Sequence, residues 1–247
     1  MIYYKSPREI EKIRAAGQIL AKTLELLSEN VKPGVTTAEL DRLADEFIRA
    51  RGAKPSFKGY NGFPASICTS IDEEVVHGIP GSRRLMEGQV IGIDIGVYMN
   101  GYHSDAAYTY AVGKVDEETA RHLQVGKECL DAAIDVCKAD GFLGDISWAI
   151  QEHAEKNGFS VVRDLVGHGI GRTVHEEPQV PNYGKPGTDL PLKPGLVIAI
   201  EPMINAGDYQ VRILKDNWTI VTVDGKRSVH FEHTVAITEN GPLILTK

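Results

Sequence analysis

The chain has 247 residues, of which 42% are hydrophobic and 25% are charged, and its formal net charge at pH 7 is −7. This composition is typical of an ordinary globular protein and argues against long disordered tracts. The acidic balance argues against a protein whose whole surface binds DNA, because phosphate neutralisation needs clustered Lys and Arg. No composition shift marks a boundary, so we predict a single domain over residues 1–247.

The first residues lead directly into charged positions without an apolar segment. We therefore expect neither a signal peptide nor a membrane anchor, and a cytoplasmic location. Cys68, Cys129 and Cys137 form an odd set without a Cys-x-x-Cys pair, which favours reduced thiols over a disulfide framework. Cys129 and Cys137 fall on a predicted helix, where we expect them to be buried packing residues.

Helices and strands are predicted to alternate in two similar sets. Helix starts are indicated by Ser6-Pro7-Arg8-Glu9, by Thr36-Thr37-Ala38-Glu39 (to about Arg51), by Asp116 (to roughly Lys138) and by Asp145 (to near Gly158). Strand-like runs cover residues 90–97, 161–165, 196–200, 218–223 and 231–237. Two helices followed by strands, twice over, predict an α+β fold made of duplicated halves with the site between them.

Two aspartates are predicted to converge on one hairpin. In the run 90–97, the isoleucines and valine occupy one face, whereas Asp94 lies on the other face with two glycines. With Asn100-Gly101 as the turn, Asp94 lies opposite position 107, so Asp105 is its diagonal neighbour on the same face. Because paired carboxylates repel each other, a cation is the natural compensation. The alternative is that one or both aspartates reach solvent at a sheet edge.

Three further polar residues follow or interrupt apolar runs. They are His168, Glu201 and Glu232. Each alone is weak evidence, because a histidine beside a turn is more often structural and a glutamate ending a strand is usually solvated. Together with the two aspartates they form an oxygen-rich set that can hold two divalent ions, as in hydrolases that activate water. The glycines of residues 167–171 lack the spacing of a dinucleotide fingerprint, so we predict no nucleotide site.

The order of these residues resembles a known family. An Asp, a second Asp eleven positions later, Gly-His-Gly-Ile-Gly, Glu-Pro-Met and Glu-His-Thr together resemble the methionine aminopeptidases of the pita-bread metallopeptidase superfamily, over nearly the whole chain. The resemblance implies a pita-bread fold with pseudo-twofold halves and an antiparallel sheet covered by helices. It implies the metal ligands Asp94, Asp105, His168, Glu201 and Glu232, with Asp105 and Glu232 bridging two ions. The short N-terminus and the short interval from His168 to Glu201 resemble the bacterial short type.

The resemblance also implies an activity and its residues. It implies removal of the initiator methionine from polypeptides with a small second residue, by attack of a water bridging the two ions. Glu201 would accept the proton of that water, His175 would hydrogen-bond the oxyanion, and His77 would contact the scissile amide nitrogen. The substrate pocket would be lined by Tyr60, Phe63, Cys68, His77, His175 and Trp218. Val174 stands where many bacterial members carry phenylalanine, which leaves the size of the pocket open.

Partners and rival functions follow from the same resemblance. It implies nascent polypeptide N-termini as substrates, transient ribosome contact, no membrane or DNA partner, and a monomer. The ions would be cobalt, manganese, iron or zinc, since carboxylate-rich sites accept all four. Two alternatives stay open: an enzyme that cleaves before proline with the same five ligands, and a non-catalytic module that binds peptides or ribosomes on the same fold.

Overall fold

The computed structural model describes residues 1–247 as two sets of paired helices, each followed by strands. The helices are α1 (Pro7–Asn30), α2 (Thr37–Arg49), α3 (Glu117–Val136) and α4 (Leu143–Lys156). Strands β1 to β5 follow the first pair: Lys54–Pro55, Cys68–Ile71, Glu74–Val76, Val90–Met99 and Tyr102–Ala111. Strands β6 to β15 follow the second: Ser160–Val161, Val166–Gly169, Glu176–Pro181, Val197–Ile200, Met203–Asn205, Val211–Ile213, Ile220–Thr222, Ser228–His230, His233–Thr238 and Gly241–Ile244. This order confirms the predicted repetition.

In the first half, a four-stranded sheet is built around β4. Strand β4 pairs with β2 and β1 and forms a continuous ladder with β5, and all these pairings are antiparallel. Residues Asn100 and Gly101 make the turn of the β4–β5 hairpin with φ of 54° and 85°, the left-handed backbone that Asn-Gly turns adopt. Helix α1 packs on β4 and β5, so the isoleucine face of β4 is buried in a core shared with α1 and α2.

In the second half, an antiparallel sheet has the strand order β15-β14-β9-β7-β8. Helices α3 and α4 pack against each other, and the side chains beneath them form the largest hydrophobic cluster. Cys129 and Cys137 are fully buried free thiols in that cluster, as predicted, although Cys137 directly follows α3 rather than lying within it. No helix has the length and apolar content that crossing a membrane requires.

The two halves join where β5 meets the residues around β13 and β14. The Thr234 hydroxyl accepts from the backbone amide of Asp105 at 2.9 Å and donates to its carbonyl at 2.7 Å. The backbone amide of Glu232 donates to the carbonyl of Ala107 at 2.9 Å. These bonds fix the acidic face of the first hairpin against the second half.

The helix starts are as predicted except at α4. The Glu9 and Glu39 side chains accept from the backbone amides of Ser6 and Thr36, which forms a capping box at both of these predicted helix starts. Helix α4 begins two residues before Asp145, and the Asp145 carboxylate accepts from the backbone amide of Phe142 at 2.8 Å. Asp145 is therefore the third helical residue rather than the first, because a carboxylate can satisfy the free amide of a helix start from either position.

Three predicted strands begin later or end earlier than expected by two or more residues. The run 218–223 is a strand only at Ile220–Thr222. The run 161–165 is extended only at Ser160–Val161, because Arg163 and Asp164 are exposed and the chain turns away from β10 before β7 begins. The run 231–237 begins as a strand only at His233, because the chain changes partners there: β13 pairs with β10, whereas β14 pairs with β9. Glu232 lies at this change of partner.

Candidate metal centre

One cavity of about 200 Å³ between the halves collects every predicted site residue. Its lining comprises Phe57, Tyr60, Asn61, Phe63, Cys68, His77, Asp94, Asp105, His168, His175, Glu201, Trp218 and Glu232. Five of them are the predicted ligands, and aromatic and apolar side chains form much of the rest of the lining. The chemistry-bearing residues of both halves therefore face one space.

Asp94 and Asp105 stand on neighbouring strands as predicted. Asp94 pairs with Ala107 and Gly96 pairs with Asp105, so the two carboxylates are diagonal neighbours on one face. Strand β4 is flanked on both sides, by β2 at Cys68 and by β5 at Ala107. Asp94 therefore does not lie at a sheet edge, and that alternative is wrong for this residue.

The second half contributes His168, Glu201 and Glu232 from adjacent strands. His168 on β7 pairs with Ala199 on β9, and Glu201 directly follows β9. The His168 Nε2 lies 3.6 Å from Glu201 Oε1 and 4.0 Å from Asp105 Oδ2. One donor atom each of Asp105, His168 and Glu232 lie within 4.8 Å of one another. This spacing brings oxygen and nitrogen donors from both halves around one point.

The tautomer of His168 suits a metal ligand. Its Nδ1 lies 2.9 Å from the carbonyl oxygen of Gly169. A carbonyl oxygen only accepts hydrogen bonds, so Nδ1 carries the proton and Nε2 presents its lone pair to the acidic cluster. A hydrogen bond of this kind from the second ring nitrogen fixes the orientation of ligating histidines.

Burial makes this cluster unfavourable in the absence of a cation. Burial raises the pKa of Asp94, Asp105 and Glu232 above the usual carboxyl range, and the charge of Asp94 raises that of Asp105 further. Burial also acts to raise the pKa of Glu201, but the imidazoles of His230 and its neighbours outweigh it and hold that pKa below its usual value. The three carboxyl groups with raised pKa values ionise readily only when a positive charge binds beside them.

The residues present fit a divalent cation. Buried oxygens of Asp94, Asp105 and Glu232 (Oδ1, Oδ1 and Oε1) have no hydrogen-bond partner. Buried polar atoms normally have one, so three orphaned carboxylate oxygens in one cluster are suited to bind a positive ion. Carboxylates with one imidazole suit hard or borderline divalent metals.

The apolar part of the cavity wall is tightly packed. Phe63 and Trp218 meet edge to face with ring centroids 5.0 Å apart. Cys68 and Val174 are buried in the same cluster, 3% and 2% exposed. Val174 packs in this apolar cluster but does not itself line the cavity, so its effect on the size of the pocket stays a prediction.

His175 is held at the mouth of the cavity by two anchors. The Tyr60 hydroxyl lies 2.8 Å from His175 Nδ1. On the other side, the backbone amides of Arg172 and Thr173 donate to Glu176 Oε1, and Lys5 Nζ lies 2.7 Å from Glu176 Oε2 in a nearly buried ion pair. Desolvation and the nearby His168 lower the pKa of His175, which keeps the ring neutral at pH 7.

His77 enters the cavity from a strained backbone position. Its φ of 60° lies in the left-handed region, which residues other than glycine rarely adopt. The next residue must be glycine, since a Cβ at Gly78 would stand 2.1 Å from the carbonyl oxygen of Thr69. Such strain concentrates at functional sites because the surrounding structure must hold it in place.

The sequence analysis missed two residues that line the cavity and a histidine that lies next to Glu201. Phe57 and Asn61 line the cavity, and Asn61 also has a positive φ of 48°. The His230 imidazole, 3% exposed, has its Nε2 3.5 Å from Glu201 Oε2. The signal for His230 was its position two residues before Glu232 in an apolar run.

The comparisons agree with this geometry. The sequence model of metallopeptidase family M24 matches residues 11–239, so the chain belongs to that family of metallopeptidases. A methionine aminopeptidase of Clostridium perfringens is 55% identical over all of this chain and 99% of its own length. Methionine aminopeptidase 1 of Bacillus subtilis is 54% identical, with 100% of both chains covered.

A solved structure extends the likeness to three dimensions. The crystal structure of a methionine aminopeptidase from Thermotoga maritima has a TM-score of 0.99 and 47% identity, with both chains fully covered. The predicted pita-bread fold is thereby confirmed. Within family M24, the chain belongs with the methionine aminopeptidases, as its motifs indicated.

Proposed function

We propose that this protein is a metal-dependent aminopeptidase that removes methionine from the N-terminus of polypeptides with a small second residue. One observation carries the proposal: a cluster of buried carboxylates with orphaned oxygens opens directly into an apolar cavity. Hydrolytic chemistry and a pocket for an apolar side chain are therefore adjacent. The names of the full-length relatives support the same reaction.

The metal centre in this proposal holds two divalent ions. Asp94, Asp105, His168, Glu201 and Glu232 would bind them. When bound, such ions lower the pKa of water and polarise a carbonyl group. The donor set accepts manganese, iron, cobalt or zinc, so metal supply would decide which is used.

The protein's own residues would then accept the proton and hold the substrate in position. Glu201 would accept the proton released by the attacking water, since its ionised form is favoured by the surrounding imidazoles. A neutral His175 that accepts the Tyr60 hydroxyl hydrogen at Nδ1 keeps Nε2–H free to donate to the developing oxyanion. His77 would contact the scissile amide nitrogen from its fixed position.

The apolar wall would select the first side chain of the substrate. Phe63, Trp218 and Cys68 offer an unbranched thioether a dry surface with polarisable contacts. Tyr60 closes this wall next to His175. A cavity of about 200 Å³ that also contains the acidic cluster leaves room for one side chain and the start of the peptide.

We further propose where and on what this activity operates. Substrates would be nascent polypeptides in the cytoplasm, met during transient contact with ribosomes, and the enzyme would act as a monomer. An initiator methionine is accessible as soon as a chain leaves the ribosome, which supports this setting. The acidic net charge of −7 restricts any ribosome contact to a local basic patch.

A peptide panel tests the proposed specificity. With manganese or cobalt added, we expect rapid release of the first residue from Met-Ala-Ser, and little from Met-Lys-Ser, Gly-Ala-Ser or Ala-Pro-Ser. Norleucine in place of methionine should be tolerated, because small changes in an apolar pocket cost only about 1–3 kcal/mol. Release is measured by chromatography of the free amino acid. Efficient cleavage of Ala-Pro-Ser with little release from Met-Ala-Ser would instead assign the chain to the proline-directed enzymes.

A further inference from the structure

His230 is a buried titratable group that the proposed mechanism does not use. It ends β13, is 3% exposed, and its Nε2 has no hydrogen-bond partner. That nitrogen lies 3.5 Å from Oε2 of Glu201. An orphaned nitrogen and a carboxylate oxygen thus face each other at the edge of the acidic cluster.

The position of the His230 ring is fixed by its backbone. The backbone amide of His230 donates to the Thr109 hydroxyl at 2.9 Å, and that hydroxyl donates to the His230 carbonyl at 2.8 Å. Pairing with Met203 on β10 anchors the other side of the strand. Both halves of the fold therefore determine where the imidazole stands.

Glu201 lies between two imidazoles, one facing each oxygen. Oε1 faces His168 Nε2 at 3.6 Å, and Oε2 faces His230 Nε2 at 3.5 Å. No other side chain or backbone amide donates to this carboxylate, although its side chain is only 13% exposed. A carboxylate that gives one oxygen to a cation still needs a donor for the second when water is scarce.

We propose that His230 is a positioning residue that donates its Nε2–H to Oε2 of Glu201 and so fixes this carboxylate for metal binding and proton transfer. The inference deepens the proposed function and rests on the assignment of Glu201 as a ligand there. At 3.5 Å, the distance from His230 Nε2 to Glu201 Oε2 is long for a hydrogen bond. We expect this distance to shorten when Glu201 turns its other oxygen towards an ion. Loss of such an outer partner typically costs about 10–100-fold in metal affinity.

Three substitutions separate donation from other roles of the ring. His230→Gln places an amide N–H the same number of bonds from Cα as Nε2, whereas His230→Asn is one bond too short to reach Glu201. His230→Leu fills the space without a donor. His122→Leu is the matched control: His122 is also a buried histidine, 2% exposed, but it bonds the Ile204 carbonyl outside the cavity.

The readouts are Mn²⁺ affinity by calorimetry and, separately, kcat and KM for Met-Ala-Ser. We expect His230→Leu and His230→Asn to bind one ion 10–100-fold more weakly and to lower kcat with KM nearly unchanged. His230→Gln and His122→Leu should match the wild type within about threefold in affinity.

Two results would overturn the assignment. One is wild-type affinity and kcat in His230→Asn and His230→Leu. The other is a loss of Mn²⁺ affinity and kcat in His230→Gln as large as in His230→Leu, which would show that the imidazole itself is required and not only an N–H donor. If His230→Leu fails to fold, the comparison of His230→Gln with His230→Asn decides. The comparison of Mn²⁺ affinities can be made even if the wild-type protein releases no methionine. Absence of methionine release would count against the proposed function and not against the role of His230 in metal binding.

Discussion

Asp94→Ala is expected to abolish methionine release and to prevent the chain from holding two ions. Asp94 lies beside Asp105 on the hairpin, so the substitution removes one of the carboxylate ligands from the cluster. Glu232→Ala should have the same effect, since Glu232 lies where the second half contacts Ala107 of β5. Metal analysis after dialysis, together with turnover of Met-Ala-Ser, measures both effects.

The stability of these variants separates loss of the site from loss of the fold. Burial of these carboxyls is unfavourable in the metal-free protein and raises their pKa, so removing one should leave that protein at least as resistant to thermal unfolding as the wild type. Asp131→Ala, an exposed aspartate on α3, serves as the matched control and should retain both ions and full activity. Two tightly bound ions in Asp94→Ala would remove Asp94 from the ligand set.

His175→Ala is expected to keep its metals and to lower turnover by about two to three orders of magnitude, the usual loss for an oxyanion donor. The Tyr60 contact at 2.8 Å and the Glu176 anchor fix the ring at the cavity mouth, so the defect should appear in kcat more than in metal content. His153→Ala, which removes a histidine paired with Glu128 on the helices, is the control. An unchanged kcat in His175→Ala would exclude a catalytic role for this ring.

Local geometry was predictable from the sequence. The position of Asp105 relative to Asp94 followed from counting outward from Asn100-Gly101, because a two-residue turn leaves only one register for the hairpin. The capping boxes at Ser6 and Thr36 were equally local. The hairpin register and the capping boxes each depend on residues a few positions apart, so they can be predicted directly from the spacing in the sequence.

Long-range convergence was not predictable from spacing alone. His168, Glu201 and Glu232 meet Asp105 only because β7, β9 and β14 lie side by side and because Thr234 ties the second half to β5. Pairings between distant strands leave no fixed interval in the sequence, so the resemblance to a family supplied this set. His230 was missed for the same reason: its relation to Glu201 depends on the pairing of β13 with β10.

The break between β13 and β14 shows how a strand prediction can fail at a functional residue. The run 231–237 is apolar enough to indicate one strand, yet the Phe231 amide bonds Pro202 and the Glu232 amide bonds Ala107 instead of continuing a ladder. The hydrophobic pattern of a sequence predicts which residues are buried, but it does not predict which carbonyl group each backbone amide bonds. The irregular backbone at Glu232 directs its carboxylate into the cluster, where Oε1 is buried without a partner.

The central claim is that the buried carboxylate cluster works as a metal centre that removes methionine. It is tested most directly by methionine release from Met-Ala-Ser during titration of chelator-treated protein with Mn²⁺. We expect no release from the metal-free protein, and a rate that rises with bound metal and levels off at two ions per chain. A full rate of methionine release from protein shown by elemental analysis to contain no metal would contradict the account.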